Sequence, residues 1–184
     1  MELTLILGPM KSGKSFELIN YFTSLEKENI PFRLYQPLRN VRDEKIWSRD
    51  GIEINAKKID SLSEIEKENV EVVGIDEIHM FPEEDAGIVK DLLERGIKII
   101  IAGLDTDYQG KMFSVVRKLL ELKPSRVEYK KAICEICGKA EAIYTQVFRD
   151  KEFVLDGLSS AVPDDGTYIY KSVCKNCFKK TSVV

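Results

Sequence analysis

A single histidine, four cysteines and no excess of positive charge mark out what this chain of 184 residues lacks. Lys and Arg number 28 against 31 Asp and Glu, a formal net charge of −3 and a pI of about 5.4, with both signs interspersed along most of the chain. A broad nucleic-acid footprint needs a basic face, so no nucleic-acid partner is expected. A small phosphate pocket, which needs only a few cations, remains open. No apolar run approaches the roughly 20 residues of a membrane span, so no membrane partner is expected either. Met1-Glu2 leads straight into Leu3-Thr4-Leu5-Ile6-Leu7, without a basic n-region or a small-residue cleavage site, and a cytoplasmic location is the resulting expectation. No internal repeat beyond a duplicated CxxC and no low-complexity segment is visible.

What is present is an ordinary globular composition, 43% hydrophobic and 32% charged, long enough for one domain or one domain plus a small appendage. Leu3–Leu7 reads as a buried strand. Lys14 to Lys27 reads as a helix, with Phe16, Leu18, Ile19, Phe22 and Leu25 at helical spacing. Phe32–Tyr35, closed by Pro37, and Val70–Ile75 read as strands, and Pro82–Arg95 as a helix ending at Gly96. Ile97–Ala102 is a β-branched strand and Phe113–Leu122 a helix stopped by Pro124. Residues 38–55 are polar and read as a flexible segment. This alternation predicts an α/β fold, a mainly parallel sheet covered by helices on both faces.

Gly8-Pro9-Met10-Lys11-Ser12-Gly13-Lys14-Ser15 fits G-x-x-x-x-G-K-[ST] between the first strand and the first helix. The glycines let backbone N–H groups turn inward around phosphate oxygens, and the helix N-terminus adds partial positive charge. Lys14 can reach β- and γ-phosphates, and the Ser15 hydroxyl can bind Mg²⁺. Val72-Val73-Gly74-Ile75 then delivers Asp76 and Glu77 to the edge where ligands of open α/β sheets bind. Asp76 suits Mg²⁺, and Glu77 can accept a proton from an attacking oxygen. The residues alone leave that oxygen open: water would make an NTPase, a substrate hydroxyl a kinase. His79, with no second metal-type neighbour, reads as an ordinary strand-end residue.

From about Glu128 the character changes. Cys134-Glu135-Ile136-Cys137 and Cys174-Lys175-Asn176-Cys177 supply four thiolates as two knuckles, the donor set of a closed structural Zn²⁺ site. Thirty-six residues separate the inner cysteines, a long stretch with a Pro/Asp/Gly-rich part near Val162–Gly166. Segments of that length inside a compact unit are often functional.

Taken together and in order, these motifs resemble the type II thymidine kinases, the family of the cytosolic human and many bacterial enzymes. Gly8–Ser15 is similar to the family's GPMxSGKS, Asp76-Glu77 to its DE-x-QF and Leu104–Phe113 to its LD-x-x-F-Q-x-x-x-F. The cysteine pairs with Tyr170-Lys171-Ser172-Val173-Cys174 are similar to its zinc module. The pattern departs at His79, where Gln is usual, at Met80, at Asp165-Gly166 and after Thr145, where Gln146 and Val147 stand in place of a basic residue.

The resemblance implies a P-loop (RecA-like) α/β core over residues 1–127 and a small β-rich zinc-binding module over 128–184. It implies phosphoryl transfer from MgATP to the 5′-hydroxyl of thymidine, with Glu77 as base. ATP and Mg²⁺ would lie on Gly8, Pro9, Met10, Lys11, Ser12, Gly13, Lys14 and Ser15 with Asp76, Glu77, Ile78 and His79. The nucleoside would lie against Met10, Leu104, Tyr108, Phe113, Thr145 and Tyr170, gripped by a lasso over Ala161, Val162, Pro163, Asp164 and Asp165. Structural Zn²⁺ would sit on Cys134, Cys137, Cys174 and Cys177. A homotetramer and feedback inhibition by thymidine triphosphate complete what the resemblance implies.

Overall fold

Leu3–Leu7 (β1) is apolar at four of its five positions and buried along nearly its whole length, the pattern of a central parallel strand. A computed structural model describes residues 2–40, 45–47, 53–66, 70–150, 152–154, 156–159 and 166–179. After β1 come α1 (Lys14–Lys27), β2 (Phe32–Pro37), β3 (Lys45–Trp47), β4 (Glu53–Asn55), β5 (Lys57–Ile59), β6 (Val72–Ile75), α2 (Asp85–Glu94), β7 (Lys98–Gly103), α3 (Ser114–Glu121) and β8 (Arg126–Tyr129). The second part holds β9 (Ala142–Arg149), β10 (Glu152–Phe153) and β11 (Ile169–Cys174).

Six strands form one sheet in the order β5-β2-β6-β7-β1-β8, every neighbouring pair parallel. The mainly parallel α/β core expected from the sequence is therefore present. Its two faces carry separate apolar clusters. Leu18, Ile19, Phe22 and Leu25 of α1 pack on one side with Ile6, Leu34 and Ile100. Val89, Leu92 and Leu93 of α2 and Val115, Val116 and Leu119 of α3 pack on the other with Leu5, Val73 and Ile99. Gly74 in β6 is required here: a Cβ would lie 2.5 Å from Phe22 Cε2 and closer still to Leu34 Cδ2. Its bare backbone lets α1 settle directly on the sheet.

Several expectations need correction. Phe16, placed by spacing on the buried face of α1, is 37% exposed. Residues 38–55 are not uniformly flexible: β3 and β4 pair antiparallel, and Ile46 is buried against the α1 cluster. Residues 41–44 and 48–52 of that segment lie outside the described residues. β5 and β8, unread in the sequence, extend the sheet at its two edges. β8 spans the position near Glu128 where the sequence changes character.

The C-terminal part is a three-stranded antiparallel sheet, β10-β9-β11, with a bulge at Val173/Cys174. Among the described residues no helix is long and apolar enough to cross a membrane.

Asp85 at the start of α2 is buried. It accepts from the Leu62 N–H at 2.8 Å and from the Ser61 hydroxyl at 3.0 Å, fixing the segment after β5 to the helix. Replacing it with alanine strands a buried donor, so Asp85→Ala is expected to lower unfolding free energy by about 1–3 kcal/mol. Urea denaturation checks this; a loss under about 0.5 kcal/mol, typical of an uninvolved surface position, would contradict it.

Candidate active site

Parallel pairing aligns the carboxyl ends of the central strands. Leu7 of β1 stands beside Gly103 of β7, and Ile75 of β6 beside Ile101. The segments that leave these strands therefore meet at one edge: Gly8–Ser15 after β1, Asp76-Glu77 after β6, Leu104-Asp105 after β7. This is the crevice where open α/β sheets take ligands.

The loop after β1 has the shape its glycines predict. Gly8 is in a conformation closed to other residues (φ 145°), and a Cβ there would lie 2.5 Å from the Lys130 carbonyl and 3.2 Å from Ser12 Oγ. The Lys14 ammonium, buried at the start of α1, donates to the Pro9 carbonyl at 2.7 Å. Ser12 Oγ is buried without a hydrogen-bond partner among the described residues. An orphaned hydroxyl and a buried ammonium in one loop fit an anionic oxygen better than an apolar neighbour.

Ser15 Oγ donates to Asp76 Oδ2 at 3.2 Å, joining the phosphate loop to the end of β6. Asp76 is only 4% exposed, whereas the Glu77 side chain is 20% exposed. Glu77 adopts the left-handed region (φ 50°), a conformation uncommon outside glycine. Burial, and next the charge of Glu77, push the Asp76 carboxyl up to about 7; the Glu77 N–H, Lys14 and Ser15 pull the other way. The folded pKa lies above the ordinary 3.8, so ionising Asp76 in the free protein reduces stability as pH rises towards 7. Holding a cation demands the ionised form. Affinity for a magnesium nucleotide is thus expected to weaken as pH falls below about 7, approaching tenfold per unit, with a flatter profile in Asp76→Asn. Calorimetric titration with MgADP across that range checks it, and a flat wild-type profile would contradict it.

His79 is more than an ordinary strand-end residue. Its side chain is 11% accessible, and Nδ1 accepts from the Leu104 N–H at 3.3 Å, which leaves the ring proton on Nε2. Burial lowers its pKa to about 4 against the opposing pull of Glu77. Its Nδ1 lies 3.6 Å from Glu77 Oε2, a neutral neighbour rather than an ion-pair partner at neutral pH. Phe113 packs beside it, ring centroids 5.1 Å apart, and belongs with Leu104 to the cluster under α2 and α3. Ile78 is fully buried in that cluster.

The small sheet reaches across to the loop. Met10 N–H donates to Thr145 Oγ1 at 2.9 Å, tying β9 to the phosphate loop. Tyr108 is buried; its hydroxyl donates to the Leu158 carbonyl at 3.1 Å and accepts the Leu158 N–H at 3.2 Å. That pair of hydrogen bonds anchors the segment leading towards the expected lasso. Ala161, Val162, Pro163, Asp164 and Asp165 lie outside the described residues. Tyr170 stands on β11 opposite Val147 of β9, half-buried. Gln146, noted in the sequence as standing where a basic residue is usual, is fully buried. It grips the Lys179 backbone twice, donating to its carbonyl at 2.6 Å and accepting its N–H at 3.0 Å.

The four cysteine sulfurs lie within 4.8 Å of one another, and Cys137 and Cys174 sulfurs are 3.8 Å apart. Sulfurs about 2.3 Å from a tetrahedral Zn²⁺ stand roughly 3.8 Å from each other, so the donor set and its spacing fit zinc. Tyr144 and Phe178, stacked at 4.3 Å, pack beside this cluster.

Asp105 is a residue that sequence reasoning left out. It follows β7 by two residues at the same edge, and burial raises its carboxyl pKa while its own backbone N–H and then Lys14 pull it down. Its signal was available: an acidic residue just beyond the end of a buried parallel strand.

A parallel sheet with a phosphate loop after β1, acidic groups at the adjoining strand ends and a unit whose four cysteines could hold a metal ion define a P-loop type of α/β protein. The family description "Thymidine kinase" matches residues 1–178. Thymidine kinase of Pseudothermotoga lettingae is 32% identical over 188 aligned residues, covering 98% of this chain and 96% of that one. Thymidine kinase of Bdellovibrio bacteriovorus is 37% identical over 146, covering 77% and 71%, and that of Mycoplasma mobile 29% over 180, covering 95% and 86%. The chain belongs to the thymidine kinase family.

Proposed function

We propose that this chain transfers the γ-phosphoryl group of ATP to the 5′-hydroxyl of thymidine, giving thymidine monophosphate and ADP. The observation that carries the reading is the meeting of Lys14, Ser15, Asp76 and the more exposed Glu77 at one sheet edge, with Thr145 of the small sheet bonded to the same loop. Family membership supplies the nucleoside.

Gly8–Ser15 cradles the triphosphate, with Ser12 Oγ and loop N–H groups other than that of Met10 donating to its oxygens. Ser15 and Asp76 are the residues that would hold Mg²⁺, which when bound neutralises charge on the phosphates. Ile78 and His79 stand behind them and fix the corner from which Glu77 projects. Glu77 takes the proton of the 5′-hydroxyl. That oxygen bonds to the γ-phosphorus as the bond from phosphorus to the β,γ-bridging oxygen breaks, and ADP leaves. Most of the rate gain comes from positioning and from matching fixed charge to the transferring group.

Met10, Leu104, Tyr108, Phe113, Thr145 and Tyr170 line the nucleoside side, and 161–165 close over the base. Closure excludes water, which would otherwise hydrolyse ATP. The nucleotide-binding unit runs over residues 1–127 and the zinc-binding, nucleoside-gripping unit over 128–184, with β8 shared at the junction. Zn²⁺ on Cys134, Cys137, Cys174 and Cys177 holds the second unit together. A homotetramer in the cytoplasm, inhibited by thymidine triphosphate and without a nucleic-acid partner, belongs to the same reading.

ADP release measured with and without thymidine tests it. Release that depends on thymidine is expected; hydrolysis indifferent to thymidine would point to water as the acceptor instead.

A further inference from the structure

Each of three consecutive residues of the phosphate loop, Pro9 to Lys11, has a polar group held by a partner. The Met10 N–H is bound by Thr145, and the Met10 carbonyl accepts from the Ser172 hydroxyl. Thr145 and Ser172 are directly paired across β9 and β11, so one cross-strand pair clamps both backbone polar groups of a single loop residue. The next residue, Lys11, stands in the left-handed region (φ 65°) and its ammonium pairs with Glu135 Oε1. Before them, the Pro9 carbonyl is taken by Lys14 within the loop itself.

Glu135 is the hub of this arrangement. It lies between Cys134 and Cys137 in the first knuckle. Its other carboxylate oxygen accepts the Ser172 N–H at 2.8 Å, and its own N–H donates to the Ser172 carbonyl at 2.9 Å. Ser172 in turn stands two residues before Cys174 of the second knuckle. The residues that grip the loop are thus close neighbours of the metal ligands on both knuckles.

We propose that Glu135 and Ser172 are positioning residues. Acting through Lys11 and Met10, they hold the phosphate loop in its nucleotide-ready shape, so that order in the four-cysteine unit is transmitted to ATP affinity. This rests on the loop being the ATP cradle. A loop pre-set in this way needs less ordering when the triphosphate binds, and relaxing it weakens binding without removing any group that touches the phosphates. The Lys11–Glu135 pair is partly exposed, with side chains 25% and 30% accessible, and alone contributes little. The Ser172 bonds, between less exposed groups, carry more.

The test is calorimetric titration of MgATP and, separately, of thymidine into wild type, Glu135→Ala, Glu135→Gln and Ser172→Ala, with zinc content measured on each. Glu135→Ala and Ser172→Ala are expected to keep one zinc per chain and to weaken MgATP binding about three- to tenfold, with turnover at saturating ATP close to wild type. Glu135→Gln, which can still accept the Ser172 N–H, is expected to recover part of the loss. The double variant Glu135→Ala/Ser172→Ala is expected to fall short of the product of the single effects, since the two residues act on one loop. Unchanged MgATP affinity in zinc-replete single variants would overturn the role, as would an effect seen only together with zinc loss. Wild type that binds no MgATP would instead sink the reading of the loop as an ATP site.

Discussion

Glu77→Gln is expected to reduce turnover by about a hundredfold or more while leaving MgATP affinity within about twofold of wild type. General-base catalysis contributes typically 10²–10⁴-fold, and the amide cannot take a proton from the 5′-hydroxyl. The substitution is close to isosteric, so it preserves the left-handed turn at this position and the packing of Ile78 and His79 behind it. Nucleotide binding falls mainly to Lys14, Ser15 and Asp76, whose hydrogen bonds do not involve the Glu77 side chain; losing the Glu77 charge eases the ionisation of Asp76 rather than hindering it. Steady-state kinetics and nucleotide titration on one preparation separate the two quantities. Full turnover in Glu77→Gln would reject the base role; turnover and nucleotide affinity falling together would assign Glu77 to binding the nucleotide.

Cys174→Ala is expected to lose zinc and with it all measurable thymidine binding. The C-terminal unit has a small apolar cluster, Ala132, Cys134, Ala142, Val173 and Cys174 with Tyr144, Cys177 and Phe178 around it, and two of its buried members belong to the four cysteines proposed to hold zinc. A core so small cannot offset the ordering of its chain alone. Structural zinc contributes about 10–16 kcal/mol in zinc-finger peptides, comparable with the whole stability of a domain. Hydrogen exchange is expected to show β9 and β11 losing protection while β1 and β7, buried in the large sheet, keep theirs. A zinc-free Cys174→Ala protein with protected β11 amides and normal thymidine binding would contradict this.

The parts legible in the sequence are those whose signal is local. The phosphate loop needs its glycines and cations within eight consecutive positions. β1, β6 and β7 are nearly continuous apolar runs because both faces of a parallel sheet are covered. β5 was hidden because Lys57-Lys58-Ile59 is short, and only its last residue is buried. β3 and β4 were hidden because each is only three residues long within a mostly polar stretch, and packing against the α1 cluster accounts for Ile46 and Ile54.

The contacts that assemble the site are non-local. Met10 and Thr145 are 135 positions apart, and Ser172 and Met10 162 apart. Nothing in either local sequence announces the other. Gln146 illustrates the same limit: it stood out for what was missing, and its paired hydrogen bonds to Lys179 show a role that spacing does not encode. His79 was underestimated because its partner, the Leu104 N–H, belongs to the backbone at another strand's end.

The central claim is that Glu77 faces the sugar's primary alcohol across the crevice from the triphosphate. A crystal structure with thymidine and a non-hydrolysable ATP analogue tests it most directly. The account predicts a Glu77 carboxylate oxygen within about 3 Å of O5′, with O5′ in line with the γ-phosphorus. A nucleoside lodged elsewhere, or Glu77 turned away with another group on O5′, would contradict it.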